Sequence, residues 1–80
     1  MRIDKFLKVS RIIKRRTLAK EALDNGMILI AGHPLKPSYD VKIGDLLYLN
    51  FPNKKLKIKV SSLEESVNKE KASFMYEVLV

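Results

Sequence analysis

Apolar residues follow two different rhythms along the 80-residue chain, and the change from one to the other comes near Gly26. Ile3, Phe6 and Leu7 fall at i, i+3 and i+4 while Lys5 and Lys8 fall on other faces, a spacing that predicts a short amphipathic helix. From Ser10 to Lys14 the pattern loosens. A second helix is expected to begin at Thr17, whose hydroxyl can accept an orphan backbone N–H, and to bury a stripe of Ala19, Ala22 and Leu23. Asn25-Gly26 closes it, because glycine after a helix takes left-handed dihedrals without a Cβ penalty.

Beyond Gly26 the period shortens. Met27 to Ile30 is an apolar run of strand length, Ala31-Gly32-His33-Pro34 reads as a turn, and Leu35-Lys36 is expected to start a return strand. Pro37 to Asp40 forms a loop, Gly44-Asp45 a further turn, and Leu46 to Phe51 another strand. Pro52, Asn53 and Lys54 break it. Leu56, Ile58 and Val60 then alternate with Lys55, Lys57 and Lys59, a period of two that predicts a half-exposed strand with lysines outward. Leu63 to Ala72 reads as polar loop with one helical turn, and Ser73 to Val80 as a final strand. With no repeat or linker, residues 1–80 are read as a single α+β domain.

Composition narrows what such a domain does. With 46% apolar and 31% charged residues the balance is that of a folded chain, and no apolar run reaches the ~18 residues a bilayer-spanning helix needs. The N-terminus meets charge every few residues and has no secretion-signal pattern, so a soluble, cytosolic protein with no membrane contact is expected. The sequence has no cysteine and one histidine, His33, which excludes disulfides, thiolate metal sites and cysteine nucleophiles, and leaves His33 without an imidazole partner. No cofactor, metal or catalytic residue is expected. His33 is read as an exposed turn residue.

Charge is the strongest signal. The formal net charge is +7, and residues 1–20 carry all of it: eight basic side chains against Asp4 alone, while the remainder of the chain is balanced. A cationic patch concentrated on one element is the electrostatic footprint of a polyanion binder, whereas a surface made only for solubility intersperses both signs.

The ordered set Arg2-Ile3-Asp4-Lys5-Phe6-Leu7, Arg16-Thr17-Leu18-Ala19, Gly26 before an apolar strand and Gly44-Asp45 before another resembles the S-four (alpha-L) RNA-binding domain family. That likeness covers residues 1–51. Lys5 to Arg11, Lys14 to Lys20 and Met75-Tyr76 are further similar to the short stand-alone members that serve bacterial ribosome-associated quality control, and this likeness spans the whole chain. It implies two short N-terminal helices packed on a small, mostly antiparallel sheet of four to five strands, with 1–51 as the core motif and 52–80 as a C-terminal strand extension. It also implies a non-enzymatic binder of large-subunit rRNA and peptidyl-tRNA, working on obstructed large subunits beside the tailing factor RqcH in C-terminal alanine tailing, and monomeric off the ribosome. Ala31 stands where the family commonly has Asn, and alanine disfavours the positive φ a tight hairpin requires there.

Physically, each phosphate neutralised by Lys or Arg releases condensed counterions, so the first 20 residues can bind RNA without reading bases. Shape and 2′-hydroxyls of a folded stem suit a small rigid surface. The candidate RNA-binding residues are Arg2, Lys5, Lys8, Arg11, Lys14, Arg15, Arg16, Thr17 and Lys20. Arg2, Arg11, Arg15 and Arg16 carry the most weight because the guanidinium fork fits phosphate. Arg16 and Lys20 share a helix face, with the positive end of the helix dipole beside Arg16 and the Leu18 and Ala19 N–H groups nearby. Thr17 is read chiefly as a cap. Asp4 is expected to orient an arginine, to favour its helix N-terminus, or both. Tyr39, Tyr48, Phe51, Phe74 and Tyr76 could stack on bases, but most aromatics of so small a domain are needed in the core, which leaves Tyr39, on a loop, as the stacking candidate. Lys55, Lys57 and Lys59 offer a second positive stripe, but the reading preferred for them is a guard against edge-to-edge pairing.

Three other readings are weighed. A heat-shock relative of the same family acts in large-subunit recycling. A DNA-binding helix-turn-helix would put the second helix in the major groove, but Thr17 to Asn25 lacks base-reading residues along its body. An RNA-modifying enzyme would need a separate catalytic domain.

Overall fold

The computed structural model describes residues 1–79; Val80, the last residue of the expected final strand, lies outside the described residues. Two helices, α1 (Ile3–Val9) and α2 (Arg16–Asp24), precede strands β1 (Ile28–Ile30), β2 (His33–Pro34), β3 (Leu46–Phe51) and β4 (Lys54–Val60). A one-turn helix α3 (Lys69–Ala72) and a 3-10 turn (Ser73–Met75) lead into β5 (Tyr76–Leu79). All neighbouring strands are antiparallel, in the order β2-β1-β3-β4-β5. The α+β architecture expected from the sequence is the one found.

One core joins the layers. Ile3, Phe6 and Leu7 of α1 and Ala19, Ala22 and Leu23 of α2 pack with Ile28, Leu47, Leu49, Ile58 and Val60 of the sheet. These helices therefore cover one face of the sheet. Register follows from the hairpins: Phe51 pairs with Lys54 across the two-residue turn Pro52-Asn53, which puts Leu49 opposite Leu56 and Leu47 opposite Ile58 on the inner face. Lys54 thus belongs to β4 rather than to the break before it.

Two expectations about turns need correction. The return strand of the first hairpin starts at His33, not at Leu35, because Ala31 (φ 50°) and Gly32 (φ 80°) alone make the turn and His33 pairs directly with Ile30. Positive φ at both central residues is the type I′ pattern, so alanine accepts the strain its side chain disfavours. Pro34 is tolerated because β2 is an edge strand, where a missing N–H costs no ladder bond. The second helix begins at Arg16, not Thr17. Arg15 holds the cap position in extended backbone, and no side chain caps the helix.

The ends of α1 and α2 share a left-handed residue just past the cap. After α2, Gly26 (φ 72°) donates its N–H to Leu23 and Met27 donates to Ala22, the Schellman pairing. After α1 the equivalent left-handed position is Arg11 (φ 63°), with its N–H on Lys8 and the Leu7 carbonyl accepting from Ile13. Ser10 is buried there, its hydroxyl 3.4 Å from the Leu7 carbonyl. A cation stands where backbone energetics favour glycine.

The loop between β2 and β3 straps the N-terminus down. Ile3 N–H donates to Tyr39 O (2.8 Å) and Val41 N–H to Met1 O (2.9 Å), which fixes the backbone on both sides of Arg2.

Candidate nucleic-acid interface

Asp4 organises the basic segment. Its carboxylate is fully buried at the start of α1, Arg2 donates to it through Nε (3.2 Å) and Nη2 (3.2 Å), and Arg16, at the start of α2, donates through Nη2 (3.3 Å). The Lys5 backbone N–H completes the set at 2.8 Å. Burial alone would raise the Asp4 pKa, but the hydrogen bonds from Arg16 and Arg2, the Arg16 charge and the Lys5 N–H outweigh it and hold the carboxyl below its ordinary range. Asp4 thus sits in the first turn of α1 and pairs with two arginines, Arg2 and Arg16.

Both arginines remain about half exposed, at 50% for Arg2 and 44% for Arg16, so their remaining donors are available to an anion. A buried carboxylate with outward guanidinium groups is a positioning device, since each side chain is held in one geometry before any ligand arrives.

Beside this pair runs a groove of about 340 Å³ lined by Lys5, Lys8, Arg11 and Arg16 on one side and by Glu65, Ser66 and Val67 on the other. Four of the sequence-derived candidates therefore surround one concavity. Lys14, Arg15, Thr17 and Lys20 are exposed on the turn and on α2, outside the groove lining. Of the N–H donors expected at α2, that of Ala19 is taken by the Arg15 carbonyl at 3.0 Å.

Glu65 was not singled out by sequence, and it matters. Its carboxylate pairs with Lys5 from across the groove, and the Lys5 hydrogen bond and charge hold it below the ordinary range. Nothing in the polar run 64–71 marks this residue, because the contact links positions sixty apart.

Aromatic placement departs from expectation. Tyr39 is half-buried, packs against the core and donates its hydroxyl to Asp45 Oδ2 at 2.9 Å, so its ring is a structural member of the loop rather than a free stacking face. Burial and the Asp45 carboxylate both push its pKa up. Tyr48, assigned to the core, is instead 42% exposed on the outer sheet face, and Phe74 is exposed as well. Lys57 and Lys59 also differ from the edge-guard reading: β4 is hydrogen-bonded to β3 and, from Lys57 to Val60, to β5 on its other side.

The sequence model of the S4 domain matches residues 1–47, which contain Arg2, Asp4, the groove lysines and Arg16. The RQC P-site tRNA stabilizing factor of Bacillus subtilis (strain 168) is 53% identical over 79 residues, 99% of this chain and 92% of that one. That of Streptococcus pneumoniae is 51% identical over 79 residues, 99% of this chain and 90% of that one. Among solved structures, trimeric heat shock protein 15 of Vibrio cholerae superposes with a TM-score of 0.91 at 26% identity, covering 99% of this chain and 81% of that one. The solution structure of hypothetical protein HP1423 superposes with a TM-score of 0.83 at 27% identity, covering 100% and 98%.

Proposed function

Because the chain belongs to the S4 domain family, and within it to that of the RQC P-site tRNA stabilizing factors, we propose that it is a non-enzymatic RNA-binding protein of ribosome-associated quality control. It binds rRNA of the obstructed large subunit and the peptidyl-tRNA held there, and supports C-terminal alanine tailing with RqcH. It acts in the cytoplasm, as a monomer off the ribosome. The observation that carries this reading is the clamp of Arg2 and Arg16 on buried Asp4, opening onto a groove that adds Lys5, Lys8 and Arg11. Preset guanidinium groups around a concavity suit phosphates at fixed spacing, as in a folded stem, more than a flexible strand.

Replacing Arg16 by Ala should weaken co-sedimentation with large ribosomal subunits by about tenfold at near-physiological salt, one charge-assisted contact being worth ~1.5–3 kcal/mol. Unchanged co-sedimentation would count against the reading. A second reading is large-subunit recycling, which the sequence resemblance to a heat-shock member of the family implies; heat shock protein 15 shares the fold. Tailing reactions reconstituted with and without the protein separate the two, since only the first requires it for alanine addition.

A further inference from the structure

The helices leave the outer face of the sheet uncovered, and that face carries a pattern of its own. Across β3 and β4, Tyr48 lies opposite Lys57, Leu46 opposite Lys59 and Asn50 opposite Lys55, all directed away from the core. Tyr48 is 42% and Leu46 46% exposed, large apolar groups beside unburied lysines. Among the described residues no ion pair engages Lys55, Lys57 or Lys59; Glu77 is opposite Lys59 in register without reaching it.

Solubility explains lysines here but not their neighbours, since a face made only for water would carry polar side chains at 46 and 48 as well. Edge protection fails too, because Lys57 and Lys59 lie on a strand paired on both sides. Next to Tyr48 and Lys57 is a groove of about 580 Å³ reaching the Ala31-Gly32 turn. Its carboxylate, Asp45, already accepts from Tyr39 and from the Lys42 N–H, both at 2.9 Å.

We propose that this outer sheet face is a second RNA-binding surface, for a single-stranded segment whose base stacks on Tyr48 while its phosphates run along Lys55, Lys57 and Lys59. Alternate residues on a strand are about 7 Å apart, which gives a ladder of like charges along one line. Aromatic rings with interleaved cations are the recurring solution for unpaired RNA, tolerant of sequence because every base has a π-face. An acidic protein would match the lysines but leaves the exposed tyrosine and the adjoining groove without a role. The site goes beyond the function proposed above, which uses the helical face. In a body of 28 × 27 × 24 Å the two surfaces would join two RNA elements across the domain.

The test is fluorescence anisotropy of the full chain with a fluorescein-labelled oligouridylate of about eight nucleotides, within the site size of one small domain. Tyr48→Ala and, separately, Lys57→Glu are each expected to weaken it about tenfold. Tyr48→Phe should restore affinity to within about twofold, because stacking needs the ring and not the hydroxyl. Arg16→Ala should weaken subunit co-sedimentation about tenfold while costing oligouridylate binding clearly less than either sheet variant, so the two surfaces fail separately. Lys57→Glu alters an exposed side chain and keeps the test valid if Tyr48→Ala does not fold. The proposal is overturned if oligouridylate does not bind, if both variants bind it normally, or if Arg16→Ala removes as much affinity as they do. Tighter binding of polyglutamate than of oligouridylate at equal salt would overturn it in favour of an acidic protein partner.

Discussion

Two residues of the basic segment act on stability in opposite directions. Arg11 has φ 63° at the end of α1, where the matching site after α2 is Gly26. A left-handed L-residue costs ~1–2 kcal/mol, offset in part by the extra freedom glycine has when unfolded. Arg11→Gly should therefore stabilise the fold by about 0.5–1 kcal/mol, raising the melting midpoint by a few degrees, while weakening RNA binding severalfold. Calorimetry and co-sedimentation on the same variant check both signs. Asp4 supplies the pH dependence. Its folded pKa is depressed, so its contribution is present in full above the ordinary value of ~3.9 and is lost as pH falls through the lower folded value. Asp4→Asn should cost about 1–3 kcal/mol at neutral pH, and the gap between its melting midpoint and that of the unaltered chain should close only below about pH 4.

At the scale of elements, the 64–67 loop faces α1 across the groove, and its Glu65 takes the Lys5 ammonium that a phosphate would otherwise meet. Glu65→Gln should raise affinity for large subunits about twofold to fivefold, because an exposed pair is weak but competes directly with the ligand. Titrations at one salt concentration decide it, and weaker binding would show that the loop supports the groove instead. Helix and strand identities were legible in the sequence: the stripe of Ile3, Phe6 and Leu7 and the alternation of Leu56, Ile58 and Val60 each point one way into the core. The outward place of Tyr48 was not carried by the turn, since the sequence alone puts Lys54 in the break with Pro52 and Asn53, and only the pairing of Phe51 with Lys54 ties the parity of β4 to that of β3. Glu65 was not legible, because only tertiary packing brings it to Lys5, nor was the pairing of β5 beside β4 that removes the edge from Lys57.

For the whole molecule, charge asymmetry becomes geometry. The +7 of the first 20 residues is gathered partly around one groove and partly over the exposed turn that follows α1, while Lys55, Lys57 and Lys59 of β4 lie on the outer face of the sheet. Four groove cations neutralising about four phosphates predict that the logarithm of large-subunit affinity falls with that of salt at a slope of about −3 to −4, and Arg11→Ala should reduce that slope by about 1. Co-sedimentation over a salt series measures it, and a flat dependence would contradict an electrostatic grip. The anchoring of Arg2 and Arg16 on one buried carboxylate has a last consequence. Two prongs mounted on a common post can neither spread nor close, so the domain works as a caliper of set width: it accepts a shape already made and is indifferent to strands that would have to be moulded to it.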